Sequence, residues 1–364
     1  MGSAPLQDQF RSTQPPQLHG QIRVMVIDDS ITARSALART IEERRGMTVV
    51  ATAGSAEVGL ELLDDRRVDV ILLDLEMPGM GGLKALPSIL AKSLGAKVLV
   101  VSSLTTAGAE PTLEALAMGA ADTLAKPSSG SFGDEYRREL LGKIVALARQ
   151  GGAATDAESR ALTPVRPARA SRTRPGVIAI GASTGGIHAL GRFFGALPRT
   201  VDTPILVTQH LPNAFMPVFA RQISTMSGRP ALVAQDGMPL KPGEVLIAPG
   251  DGHLMLRRTR GEIVVAIGDF LAPSGCCPSV DPILEAVARH FGAAGLGVVL
   301  SGMGRDGSLG ARTLSEAGGT LLAQDEDSCA VFGMPRGIVE GGLAAATSPP
   351  ENLATFVAQR VGAA

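Results

Sequence analysis

Three polar residues, each set just past an apolar run, could together perform acyl transfer: Ser183, His210 and Asp306. Ser183 lies in Gly181-Ala182-Ser183-Thr184-Gly185, which fits the G-x-S-x-G pattern that exposes a serine on a sharp strand-to-helix turn. Glycines let backbone approach a substrate, and the helix start offers free N–H groups to developing negative charge. A serine hydroxyl needs a base, and a neutral imidazole with a reference pKa of about 6.5 can serve. A carboxylate then holds the imidazole in the useful tautomer. Taken alone, the glycine-rich turn also suits phosphate cradling in a dinucleotide-binding fold. Such a site wants an acid at the end of the next strand, but the apolar run 205–208 leads to His210, and Asp202 lies at its other end. His253 follows a strand and rivals His210, whereas His19, His188 and His290 sit in a tail and in helical patterns. Asp251 and Asp281 rival Asp306. Cys276 and Cys277 are candidate nucleophiles with no base evident nearby, and packing is the commoner use of cysteine.

A second constellation lies in the N-terminal half. Asp28, Asp29 and Asp74 each follow an apolar strand pattern, Ser102 ends another and Lys126 ends a further one. Clustered carboxylates repel one another unless a cation sits among them, and Mg2+ favours such oxygen donors. A carboxylate, a hydroxyl, an ammonium and a divalent ion can together hold a phosphoryl group.

Both constellations need strands that end on one edge. Strands are predicted at 21–27, 47–53, 68–73, 97–101 and 122–125, alternating with helices at 31–45, 56–65, 113–118 and 132–149. A second alternating block begins at Gly176, with strands at 177–180, 205–208, 244–248 and 297–300, a hairpin at 254–267, and helices after Ser183, at 215–226 and at 281–291. Alternation of this kind implies parallel, doubly wound α/β sheets, whose functional crevice lies outside the strands' carboxyl ends. The expected division is a disordered tail (1–20), a first α/β domain (21–150), a linker rich in Ala, Arg, Pro, Ser and Thr (151–174) and a second α/β domain (175–364). A chain of 364 residues accommodates this, at roughly 150 residues per domain.

Composition narrows the function. A net charge of -1 provides no basic field for nucleic acid, and 3% aromatics provide few stacking faces. Three cysteines without metal-ligand spacing suit a reducing cytoplasm. The polar start lacks an apolar signal region, and no run of about 18 apolar residues suggests membrane insertion.

Asp28-Asp29, Asp74 followed by Met77-Pro78, Ser102 and Lys126-Pro127 resemble the response-regulator receiver family, with its flavodoxin-like fold. That resemblance implies that Asp74 accepts phosphate from a histidine kinase. It also implies Mg2+ on Asp29 and Asp74, with Asp28 acting through water and Glu76 through its carbonyl, and phosphate sensing by Ser102 and Lys126. Gly81 stands where relatives often carry an acid, and Thr123 where they often carry an aromatic switch residue. The C-terminal half resembles the chemotaxis protein-glutamate methylesterases, through 180–186, Gln209-His210, Pro278-Ser279-Val280-Asp281 and 300–307. The order Ser, His, Asp differs from that of α/β-hydrolases, so a Rossmann-like domain is expected. The resemblance implies nucleophile Ser183, base His210, orienting acid Asp306, an oxyanion contact from the Met303 N–H with Thr184 beside the serine, and no cofactor for the esterase. Cys277 stands where many relatives carry a basic residue. The implied substrates are methylated glutamyl side chains, and glutamines, on cytoplasmic chemoreceptor helices. A DNA-binding output domain and a nicotinamide-dependent oxidoreductase are the competing classes. No helix-turn-helix pattern or basic face supports the former.

Overall fold

The run Ile22–Ile27 (β1) is buried along most of its length, as a central parallel strand must be. It is followed by Ile31–Glu42 (α1), Met47–Ala53 (β2), Ala56–Asp65 (α2), Val70–Asp74 (β3), Gly82–Lys92 (α3), Lys97–Ser102 (β4), Thr106–Met118 (α4), Asp122–Ala125 (β5) and Asp134–Gly151 (α5). Serines start the first two helices: the Ser30 hydroxyl accepts the Ala33 N–H and that of Ser55 accepts the Val58 N–H, each satisfying an otherwise orphaned donor. In this computed structural model the five strands form one parallel sheet in the order β2-β1-β3-β4-β5, the flavodoxin-like arrangement.

The second unit comprises Val177–Ala182 (β6), Gly186–Ala196 (α6), Ile205–Gln209 (β7), Met216–Ser227 (α7), Ala231–Val233 (β8), Val245–Ile247 (β9), His253–Thr259 (β10), Glu262–Gly268 (β11), Asp281–Phe291 (α8), Gly295–Val299 (β12), Ser308–Glu316 (α9), Thr320–Gln324 (β13), Met334–Glu340 (α10), Ala346–Ser348 (β14) and Pro350–Val361 (α11). Its seven-stranded parallel sheet runs β14-β13-β12-β6-β7-β9-β8, with β10 and β11 as a separate antiparallel hairpin. Each sheet reverses its winding once, at β1/β3 in the first and at β6/β12 in the second. Those reversals open the crevices in which ligands bind.

The structure describes residues 21–102, 106–126, 133–151, 168 and 170–362. The predicted tail at 1–20, Ser103, Pro127 and most of the predicted linker lie outside these residues. The described end of the linker stretch is anchored rather than free. The Ser171 N–H donates to Thr320 Oγ1 at 2.9 Å, and the Arg360 guanidinium donates to the carbonyls of Ser171 and Thr173.

The units share a face. Helix α4 packs against α6 and α7, and Leu113 and Leu116 belong to the same apolar cluster as Leu190, Phe215 and Phe219. Polar contacts bracket that cluster: Gln222 Nε2 donates to the Leu113 carbonyl at 3.0 Å, and His188 Nδ1 lies 3.2 Å from that of Ala117. His188 thus serves the interface, in keeping with its expected position away from the chemistry. No helix among the described residues is long and apolar enough to cross a membrane.

Candidate active site

Strand β6 ends at Ala182, and the chain turns at once into α6. Gly185 makes that turn possible with φ of 76°, a left-handed conformation that costs glycine little. A side chain there would strike Ala330 and Ser301. The turn is pinned by Ser183 N–H to the Ser301 carbonyl at 3.0 Å and Gly186 N–H to the Ser183 carbonyl at 2.7 Å. Gln209, at the end of β7, donates its amide to the Ser183 carbonyl at 2.9 Å, which joins the serine turn to the strand that presents His210.

Three side chains from three strand ends meet here. His210 Nδ1 lies 3.0 Å from Ser183 Oγ, and His210 Nε2 lies 2.8 Å from Asp306 Oδ2. Asp306 is an acceptor, so Nε2 carries the proton and Nδ1 is left as an acceptor facing Ser183 Oγ. Asp306 is buried and saturated with donors. Ser279 Oγ donates to Oδ1 at 2.6 Å, and the Val280 N–H donates to Oδ2 at 2.7 Å. Burial opposes its charge, but the bonds from His210, Ser279 and Val280 outweigh that and hold Asp306 well below the usual carboxylate range.

Burial also opposes charge on His210. The Asp306 carboxylate, together with the Cys276 sulfur beside the ring, overcomes it and pushes the imidazole up to about 9. As a base, His210 would work only when neutral. At low substrate, turnover should therefore rise with pH through neutrality, with a midpoint near 9 rather than near the 6.5 of an unperturbed imidazole. A kcat/KM profile that levels off by pH 7 would show that the imidazole is not raised by Asp306 and Cys276. The stabilising bond follows the same sign. It is complete below the unfolded value near 6.5 and is lost as pH rises through about 9.

The rival residues fall elsewhere. His253 is fully buried: Nδ1 accepts the Ser279 N–H at 3.0 Å and Nε2 donates to the Phe270 carbonyl at 2.7 Å. It braces the segment that holds Asp306. Asp281 turns to the Gly310 N–H at 2.8 Å. Burial raises its pKa against that bond, and the nearby Asp306 charge raises it further, so the two acids divide between one charged and one readily protonated group. Asp251 accepts from Asn213 at the surface, and His290 lies 3.1 Å from the Leu256 carbonyl. Cys276 differs from expectation. It has a base beside it, its Sγ lying within 4.8 Å of donor atoms of both His210 and Asp306. Ser279 carries no role that its place in the Pro-Ser-Val-Asp stretch reveals, although its hydroxyl sits at the acid itself.

Past β12, the loop carrying Met303 crosses directly over the serine. A Cβ on Gly302 would lie 2.9 Å from that of Ser183, so only glycine lets this backbone approach. Thr184, beside Ser183, is buried, and its hydroxyl donates across the interface to Asp122 Oδ2 at 2.6 Å. Lys143 of α5 holds the same oxygen at 2.7 Å, and the Gly185 N–H donates to the Ala121 carbonyl at 2.6 Å. The β5 edge of the first unit therefore lies on the residues that flank Ser183.

At the other switch point, Asp28, Asp29 and Asp74 bring carboxylate oxygens within 4.8 Å of one another. Lys126 Nζ lies 2.6 Å from Asp74 Oδ2, and the Glu76 N–H donates to Asp74 Oδ1 at 3.0 Å. Burial raises the Asp74 pKa. Lys126 and the Glu76 N–H oppose the rise, and Asp28 adds to it. Asp28 Oδ2 is buried without a hydrogen-bond partner, an orphan that a cation would satisfy. Ser102 Oγ accepts from Thr112 Oγ1 of α4 at 2.9 Å.

Comparison with known proteins matches each of the two units to a family. Residues 178–357 match the CheB methylesterase family, and residues 24–131 match the response regulator receiver domain. The protein-glutamate methylesterase/protein-glutamine glutaminase 1 of Rhodospirillum rubrum is 39% identical, over 93% of this chain and 95% of its own length. The chain belongs to the CheB methylesterase family. Another family member, numbered 4 in Anaeromyxobacter dehalogenans, is 40% identical over 94% of this chain and 96% of its own. The crystal structure of the Thermotoga maritima CheB methylesterase catalytic domain is 34% identical, covers 51% of this chain and 99% of that domain, and superimposes with a TM-score of 0.50. The receiver match precedes the methylesterase match along the chain.

Proposed function

We propose that this protein hydrolyses γ-methyl esters of glutamyl side chains on chemoreceptor helices, deamidates glutamines at such sites, and is switched on by phosphorylation of Asp74. The observation that carries the reading is the relay Asp306–His210–Ser183, bonded at 2.8 and 3.0 Å. Ser183 Oγ attacks the ester carbonyl as His210 Nδ1 takes its proton. The oxyanion develops beneath the Gly302-Met303 backbone, where the Met303 N–H serves as a donor. His210 returns the proton to the departing methoxy oxygen, which leaves as methanol, or to the departing amide nitrogen, which leaves as ammonia. Water then repeats the sequence on the acyl-serine and leaves a free carboxylate. Methylated and glutamine-containing receptor peptides, followed by mass spectrometry, test this. Both should convert to the glutamate form, and conversion of neither would refute the assignment.

The receiver domain suits control. A histidine kinase supplies the phosphoryl group, and Asp74 accepts it. Asp28, Asp29, Asp74 and the Glu76 carbonyl would hold Mg2+, and the unpartnered Asp28 oxygen favours that fit. When bound, Mg2+ neutralises charge on the phosphoryl oxygens. Lys126, 2.6 Å from Asp74 Oδ2, would pair with a new phosphoryl oxygen. Ser102, once drawn toward it, would leave Thr112 and so disturb α4, which lies against α6 and α7. Loosening α4 and β5 frees Thr184 and Gly185 from Asp122 and Ala121. A fragment beginning at Pro175 should therefore outpace the unphosphorylated full chain by about tenfold or more, a shift that needs only ~1.4 kcal/mol of closed-state preference. Equal initial rates of ester hydrolysis would rule out shielding. The protein is expected to act in the cytoplasm, where such receptors present these helices.

A further inference from the structure

Cys276 is not used by the hydrolytic steps, yet it stands at their centre. Its Sγ, a ring nitrogen of His210 and a carboxylate oxygen of Asp306 all lie within 4.8 Å of one another. We propose that these three side chains form an inhibitory site for a zinc ion.

The donor set selects the ion. Sulfur, imidazole nitrogen and a single carboxylate oxygen suit zinc, whereas Mg2+ and Ca2+ want oxygens. The receiver pocket, made of three carboxylates, has the opposite preference. Donors around tetrahedral zinc sit about 3.3–3.8 Å apart, so closure requires a movement of roughly 1 Å. His210 Nε2 and Asp306 Oδ2, now 2.8 Å apart, must part by about 0.5 Å to ligate one ion, and the remaining closure falls to Cys276. It lies on the segment between β11 and α8, where Ser274, Gly275 and Cys277 are exposed. A side chain added at Gly275 would meet nothing within 4 Å, so this loop has room to shift. Asp306 already accepts from Ser279 and Val280, so the carboxylate that would ligate zinc is oriented in advance, as ligands with outer partners are. A fourth position is left for water.

Zinc binding releases the Cys276 thiol proton and any second imidazole proton to solvent, and the remaining His210 proton shifts from Nε2 to Nδ1 as Nε2 ligates the metal beside Asp306. The imidazole can then no longer take the serine proton, and Ser183 stays a hydroxyl. The site is thus a brake that acts on the base, separate from the receiver's control of access. It is defined by Cys276, which the hydrolytic mechanism leaves idle.

The test uses the full chain in saturating Mg2+, which fills the receiver carboxylates, and reads zinc binding directly by calorimetry. The unmodified protein should bind one zinc per chain that Cys276→Ser and Cys276→Ala bind about 10- to 100-fold more weakly. Cys277→Ser should bind it as the unmodified protein does. Cobalt(II) in place of zinc should give a thiolate-to-metal charge-transfer band that both Cys276 variants lack. Ester hydrolysis, normalised to each variant's own zinc-free rate, should be inhibited at correspondingly lower zinc in the unmodified protein and recover on chelation. Equal zinc affinity with and without the Cys276 thiol, or a charge-transfer band that survives its removal, would overturn the proposal. Because binding and spectrum are read without substrate, these outcomes stand whether or not the protein proves to be a methylesterase.

Discussion

Ser183→Ala should lower kcat for ester hydrolysis by on the order of 10^5- to 10^6-fold while leaving KM nearly unchanged, because the hydroxyl bonds covalently to substrate only during reaction. His210→Ala should cost about as much, and the double variant little more, since the hydroxyl and its base act as one unit. The geometry supports this strong coupling. Nδ1 lies 3.0 Å from the hydroxyl, and the histidines at 188, 253 and 290 are committed to carbonyls or amides elsewhere. Stopped assays on methylated receptor fragments measure all three variants. A His210 variant that kept more than about a tenth of turnover would show that another group takes the proton.

Asp306→Asn should reduce kcat by about 10^4-fold, with an added loss of stability. Three donors converge on this carboxylate: His210 Nε2–H, Ser279 Oγ–H and the Val280 N–H. An asparagine offers one oxygen and turns an NH2 toward the remainder. If the oxygen takes the Oδ1 place beside Ser279, the NH2 meets both Nε2 and the Val280 N–H donor to donor, which selects the wrong imidazole tautomer and strands a buried amide at about 1–3 kcal/mol. If it takes the Oδ2 place, His210 and Val280 keep their acceptor and the NH2 turns to the Ser279 hydroxyl, which can rotate to accept it, but the charge that stabilises the imidazolium is gone. The pH profile separates these effects from simple unfolding. Without the Asp306 charge the midpoint should fall from about 9 toward that of an ordinary imidazole, even as the maximum rate collapses. A variant with unchanged midpoint and rate would show that Asp306 neither orients nor charges the base.

These effects centre on residues that are legible in the amino-acid sequence, and the reason is topological. In a parallel sheet the useful edge is where apolar runs end, so Ser183, His210, Asp306, Asp28 and Asp74 emerge from reading past each strand. The helices and strands that stay hidden have weak local signals. Helix α3 begins at Gly81-Gly82 and contains Pro87, and α4 contains Pro111, which confines the predicted helix there to 113–118. Strands β8 and β14 have three residues each, too few to show alternation. Strand β13 is a continuous buried run, which periodicity cannot separate from helix. The interface and the acid's supports are hidden for another reason. Thr184 meets Asp122 across 62 positions, and Ser279 meets Asp306 across 27, contacts that leave no periodic trace. Cys276 is the clearest case: its neighbour His210 comes from a different strand end, so the residues that flank the cysteine in sequence show no base.

The measurement that bears most directly on the account is methanol release from methylated chemoreceptor membranes by the full chain, by Ser183→Ala and by Asp74→Asn, each with and without a small-molecule phosphodonor and Mg2+. Release that rises with phosphodonor in the unmodified protein, persists without that rise in Asp74→Asn and vanishes in Ser183→Ala is the expected result. Methanol release at an undiminished rate from Ser183→Ala would contradict it.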